Sequence, residues 1–163
     1  MSTTTHYLST HNSKAWRVVF WGGLIAGTLD ITGACVVAWL RAGVSPVRVF
    51  QSVASGIYGA ASSSLGAKTA ILGLVLHFLI ATTWTVVYYL ASRKISYLVN
   101  QTIIAGVLYG VVVYAFMNFV VIPLSAVPKR ATPPPLSARI IGMSIIIFCI
   151  GLPIAIIVRK FSR

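Results

Sequence analysis

Two side chains capable of acid–base or solute-coordinating work stand out because everything around them is apolar. Asp30 is the one acidic residue of the chain, and His77 is the one histidine inside an apolar run. Together they can share a proton or form an ion pair, and Tyr114, Asn118 and Ser144 are the polar side chains that would complete such a site. A carboxylate held at mid-bilayer costs roughly 2.5 to 3.5 kcal/mol. Asp30 is therefore expected to be protonated, paired, or in contact with water, and a hydrogen bond or ion pair with His77 answers that cost. Two readings are open. Asp30 is a titrating functional group, or it is a neutral carboxylic acid that fixes the packing of neighbouring helices.

The same residues exclude other chemistry. One carboxylate and one histidine do not supply the three or four protein ligands of a zinc site. No paired carboxylates or nucleophile elbow are present. An axial haem ligand at His77 would lack a second histidine, because His6 and His11 both lie in the N-terminal tail. Cys35 and Cys149 fall inside apolar runs and form no Cys-x-x-Cys pair, so they read as packing residues. The expectation is a protein that is not an enzyme and uses no metal and no cofactor.

The elements that position Asp30 and His77 follow from composition. Of 163 residues, 58% are hydrophobic and 9% charged, with a mean hydropathy of +0.91. The apolar residues come in four unbroken runs, Val18 to Leu40, Thr69 to Leu90, Thr102 to Val121 and Ile140 to Val158. At ~1.5 Å per residue each is roughly 28 to 35 Å long, enough to cross a hydrocarbon core of about 30 Å. Runs this long and uniform form helices rather than the alternating strands of a barrel. The predicted fold is all-α, an integral membrane four-helix bundle forming a single domain over residues 1–163. A disordered Ser- and Thr-rich tail is expected over about 1–14. The first run is too long for a signal-peptide core and contains Asp30, so no cleavage is expected.

Trp16, Trp21 and Trp39 on the first run, and Trp84, Tyr88 and Tyr89 on the second, are interfacial anchors. The net charge of +12 comes from Lys and Arg flanking the runs. That placement suits lipid head groups and is not the basic patch with interleaved aromatics of a nucleic-acid binder. An even number of crossings puts both termini on one face. The basic residues divide almost evenly between faces, with the higher density on the terminus face, which favours cytoplasmic termini.

Ser45-Pro46 predicts the start of a short helix over about 46–60 between the first two spans. It is too short to cross, and its small residues Ala54, Ser55, Gly56 and Gly59 suit either an interfacial helix or a re-entrant hairpin. The proline-rich stretch 123–137 reads as an extended, partly polyproline II connector. Pro153, after Gly151, should kink or loosen the fourth span.

Helical spacing then orients the faces. Gly23, Gly27, Asp30 and Ala34 form one stripe of the first span. In the third span Gly106 and Gly110 repeat the small-residue pair, with Tyr114 and then Met117 or Asn118 beyond them. In the second, Gly73, His77, Ala81 and Trp84 share a side. Asp30 lies about 15 Å and His77 about 12 Å from the loop-side ends of their runs. The two can therefore meet, with Tyr114, Asn118 and Ser144 in the same half.

Leu29-Asp30-Ile31, PVRVFQSVASGIYG from Pro46, LGLVLHFLIATTW from Leu72, GVLYG from Gly106, MNFVVIPLS from Met117 and GLPIA from Gly151 together resemble a family of small uncharacterised bacterial four-span membrane proteins. That resemblance implies the four-span topology and a bacterial inner membrane, and brings no activity with it. Two functional readings are carried forward. One is proton or small-solute transport through the Asp30/His77 site, with the bundle a homo-oligomer through its glycine faces. The other is a structural or accessory subunit of a larger membrane complex.

Overall fold

The computed structural model describes residues 15–129 and 132–161 in full, with helix bounds running out to Thr3 and Ser162. Every regular element among the described residues is helical. In chain order these are α1 (Thr3–Ala42), α2 (Pro46–Tyr58), α3 (Ala67–Ser92), α4 (Tyr97–Asn100), α5 (Thr102–Phe116), α6 (Ile122–Leu124), α7 (Leu136–Ile146) and α8 (Leu152–Ser162). A 3-10 turn (Gly59–Ser63) follows α2. π-helical turns at Met117–Val121 and Ile147–Gly151 fuse α5 to α6 and α7 to α8. Four stretches are long and apolar enough to cross a membrane, Ala15–Ala42, Ala67–Ser92, Thr102–Leu124 and Leu136–Phe161. The chain is thus an all-α four-helix bundle suited to a bilayer. Leu40, Leu79, Phe119 and Leu124 stay exposed on the outside, as hydrocarbon contact requires. The tail expected over 1–14 lies outside the fully described residues.

The first, second and fourth spans run beyond their apolar runs at both ends, taking in Arg17 and Arg41, Lys68 and Ser92, and Arg139 and Lys160. α1 ends at Ala42, and the φ of +61° at Gly43 lets its N–H reach Trp39 O at 2.8 Å while Val44 N–H reaches Ala38 O at 3.3 Å, an αL ending that favours glycine. Ser45 is extended and Pro46 occupies the first turn of α2, although the Ser45 hydroxyl makes no capping bond. The connector expected to be extended from Pro123 begins differently, since Pro123 is still helical within α6. Pro135, ahead of α7, has φ −60° and ψ 154°, the polyproline II geometry expected there.

Glycine sets most of the packing. On α1, a methyl group added at Gly23 would collide with Thr82, and one at Gly27 would lie 2.8 Å from the Phe78 ring. This is the α1–α3 seam. On α5, Gly106 and Gly110 meet the fourth span, where a Cβ on Gly110 would stand 2.6 Å from Ile147 Cα and one on Gly151 would strike Gly106 O. α2 docks where Gly73 of α3 meets the Phe50 carbonyl and the Ala54 amide. The four glycines singled out by spacing are therefore used for packing inside one chain. α1 also runs along the fourth span, so neighbours in the ring are α3, α1, α7/α8 and α5.

The closing pair, α3 and α5, is bridged by aromatic side chains. Tyr109 Oη donates to Trp84 O at 2.6 Å, and the Trp84 ring meets Tyr109 and Phe116 edge-on at 6.1 and 5.4 Å. Tyr88 and Tyr109 stack edge-to-face at 4.8 Å.

Pro153 loosens the fourth span in a specific way. The residue before it, Leu152, sends its N–H five residues back to Ile147 O. The residue before Pro123, Ile122, does the same to Met117 O. Proline offers no N–H to the carbonyl four residues earlier, and a wider turn just upstream is how both helices continue past it.

The glycine seams are testable. Because the atom facing Gly110 is backbone that cannot rotate away, Gly110→Ala should cost about 1–3 kcal/mol in reversible unfolding by SDS in mixed micelles. At Gly142 the added methyl would meet only the Tyr114 ring edge at 3.6 Å, so Gly142→Ala should stay within about 0.5 kcal/mol of the parent. Equal effects would refute the assigned seam.

Candidate functional site

Asp30 and His77 reach each other as their spacing predicts, and the way they do so separates their roles. Gly27 lies one turn before Asp30 on the α3-facing side of α1. His77 Nε2–H donates to the Gly27 carbonyl at 2.9 Å. Asp30 Oδ2 stands 4.0 Å from the same nitrogen, beyond hydrogen-bond range. A carbonyl can only accept, so the Nε2 proton belongs to the α1 backbone. Histidine thus ties α3 to α1, and the carboxyl beside it makes no hydrogen bond to any described residue.

The Asp30 side chain, one-fifth exposed, faces a cavity of about 250 Å³ at the centre of the bundle. All four spans and α2 line it. α1 contributes Asp30 and Ala34, α3 contributes His77 and Trp84, and α2 contributes Val49, Ser52 and Val53. Among the described residues Asp30 and His77 are the ionisable groups on this lining, and Asp30 is the acidic one. The Ser52 hydroxyl donates to Val49 O at 2.6 Å, which leaves its oxygen lone pairs toward other donors. The Trp84 indole N–H makes no hydrogen bond to a described residue.

α2 closes the cavity from the loop side. It follows α1 after a link of three residues, and its far end is tied back to the α6 loop by Ala126 N–H to Gly56 O at 3.0 Å. Gln51 Nε2 donates to Gly66 O at 2.9 Å, pinning α2 to the start of α3. Gly59, with φ +58°, turns the chain out of the helix. The segment therefore enters and leaves on one side and docks on α3 about 9 Å past Ala67.

The other predicted site residues do not join this pair on the lining. From the third span the cavity receives Val113 and Met117, each one position before the expected Tyr114 and Asn118. Tyr114 lies over Gly142 of α7, and Asn118 Nδ2 donates to Tyr114 O at 2.8 Å within its own helix. Ser144 is half-buried and off the lining, where the fourth span presents Ile146 and Ile150. Sequence reasoning passed over the α2 residues Val49, Ser52 and Val53, whose signal was the amphipathicity of that short segment, more pronounced than in any of the spans.

Toward the termini the bundle is shut. Val18, Tyr88, Ile154 and Val158 have no exposed surface. The polar groups there are spent on backbone carbonyls, with Thr85 Oγ1 donating to Ala81 O at 2.9 Å and Tyr88 Oη to Leu98 O at 2.9 Å. Among the described residues no group of three or more His, Cys, Asp or Glu side chains is placed to hold a metal ion.

The division of labour predicts an order of stabilities. His77→Leu removes the interhelical bond and should cost about 0.6–1.7 kcal/mol, whereas Asp30→Asn, which removes no hydrogen bond, should change unfolding in the same SDS titration by less than about 0.5 kcal/mol. The reverse order would make Asp30 the packing residue.

No protein-family model, no curated protein and no solved structure matches the chain.

Proposed function

We propose that this is a non-enzymatic multi-pass membrane protein in which Asp30 is a titratable site for moving protons or a small solute, with His77 holding the helices that frame it. One observation carries the reading. The carboxyl is open to a central cavity and makes no hydrogen bond among the described residues, standing 4.0 Å from His77 Nε2 at the outer limit of an ion pair, while that histidine makes the packing bond. A buried carboxyl retained only for packing would be expected to make that bond itself, since an unsatisfied polar group in hydrocarbon is costly. The setting consistent with the spans, the flanking charges and the resemblance of the sequence is a bacterial inner membrane with cytoplasmic termini.

A second reading, an accessory subunit held by a larger membrane complex, is favoured by the closed terminus half, through which no polar path runs among the described residues. In that case the cavity is a packing defect, filled by water or by the partner.

Proteoliposomes separate the two. Under an imposed pH or ion gradient the wild type should show flux well above empty vesicles, and Asp30→Asn should lower it at least tenfold while remaining folded. Absence of flux from the wild type would discard the transport reading and leave the accessory one.

A further inference from the structure

The α3–α5 seam differs from the α1–α3 and α5–fourth-span seams. It lacks a glycine contact and is bridged by Trp84, Tyr109, Tyr88 and Phe116. Outside it lies a groove of about 450 Å³ flanked by Val87, Val112, Phe116 and Val121. Val87, Val112 and Phe116 are 44%, 57% and 45% exposed. All the residues that form the groove belong to the second and third spans, so hydrocarbon fills it.

Three further groove residues, Ile80, Trp84 and Met117, also line the Asp30 cavity. A wall one side chain thick thus separates the lipid from the carboxyl. Met117 is its most adaptable part, being unbranched and standing at the first position of a π-helical turn.

Chemistry narrows the occupant. Asp30 is the acidic group among the described residues of the cavity lining, and the Trp84 ring offers a surface that attracts cations. A cation approaching from water meets Lys and Arg on both faces of a chain with net charge +12. An approach through the bilayer avoids them, and the closed terminus half offers no alternative. The cavity of about 250 Å³ holds roughly eight waters at ~30 Å³ each, room for an ammonium-sized head and not for a chain. The groove has the room and the character for the chain.

We propose that the Asp30 cavity is entered sideways from the hydrocarbon through the α3–α5 seam, and that it takes the small cationic head of a single-chain amphiphile whose tail lies in the outer groove. A protonated carboxyl gives its proton to water in the cavity as the cation pairs with the carboxylate, and an already ionised one exchanges neighbouring water for the cation. This rests on the reading of Asp30 as an open site.

The test uses the full chain in phosphatidylcholine vesicles, with Trp16, Trp21 and Trp39 replaced by Phe so that Trp84 alone reports. The probe is dodecyltrimethylammonium brominated on its chain, whose bromines quench nearby indoles. Quenching should show a saturable component above collisional background. Asp30→Asn should weaken that component at least tenfold, and a brominated dodecanol should lack it. Val112→Phe, which fills the exposed groove without touching Asp30, should weaken it about fivefold or more. Saturable quenching that survives Asp30→Asn, or that the alcohol reproduces, would overturn the cation assignment. Indifference to Val112→Phe would overturn the lateral route. Loss of ion flux in Asp30→Asn with no saturable quenching in the wild type would sink this proposal and leave the transport site standing. Saturable, Asp30-dependent quenching without any flux would keep the binding site and discard transport.

Discussion

In hydrocarbon an apolar helix gains nothing by hiding from a solvent that is itself apolar, so this bundle depends on how closely its backbones can approach. Glycine supplies that approach at three places. Gly23 and Gly27 bring α1 onto α3, Gly106, Gly110 and Gly151 bring α5 onto the fourth span, and Gly73 seats α2. Dispersion contacts accumulate along these seams because no side chain holds the helices apart. Where glycine is missing, between α3 and α5, the gap is spanned by rings and one hydrogen bond from Tyr109 to the Trp84 carbonyl. Cavity and outer groove both border that gap.

The polar groups obey the same economy in opposite ways in the two halves. Near the termini, Thr85, Tyr88 and Tyr109 each donate to a backbone carbonyl, leaving a dry core around Val18 and Val158. Toward the loops, His77 follows the rule by donating to Gly27 O, and Asp30 breaks it. A carboxyl without a donor is tolerable in a bilayer only where water or a ligand can reach it. The cavity is thus the condition for the carboxylate, and α2, laid against Gly73, encloses it on the loop side.

Much of this was legible in the sequence because its causes are local. Hydropathy over about 20 residues marks a span whatever its neighbours, and Gly-x-x-x-Gly marks a close face, so α1 with Gly23, Gly27 and Asp30 was readable from spacing alone. The third span was readable as far as Gly110. Beyond it, two side chains lie almost equally near the stripe, Val113 three residues on and Tyr114 four. A packed seam advances by threes and fours alternately, and here Gly106, Gly110, Val113 and Met117 keep the inner face. Choosing Tyr114 and Asn118 favoured polarity over period. The contribution of α2 was hidden for a different reason. Gly73 was legible as the small residue of the His77 stripe, but its contact with α2 pairs that absent side chain with a backbone carbonyl, and a carbonyl leaves no pattern in its own segment.

The two prolines connect backbone strength to the site. Each is preceded by a π-helical turn closed two residues earlier, Met117–Val121 before Pro123 and Ile147–Gly151 before Pro153. A π-turn admits one more residue per turn and so rotates the helix on its C-terminal side. Both wide turns reach the cavity, Met117 through its place in the wall and Ile150 through the opposite side, while Gly151 meets Gly106. Two segments with irregular backbone bonding therefore share the cavity with the carboxyl. The Ile147–Gly151 turn is held by the glycine contacts of Gly110 and Gly106, so a rearrangement that admits a ligand to Asp30 costs least in the Met117–Val121 turn, which meets no glycine.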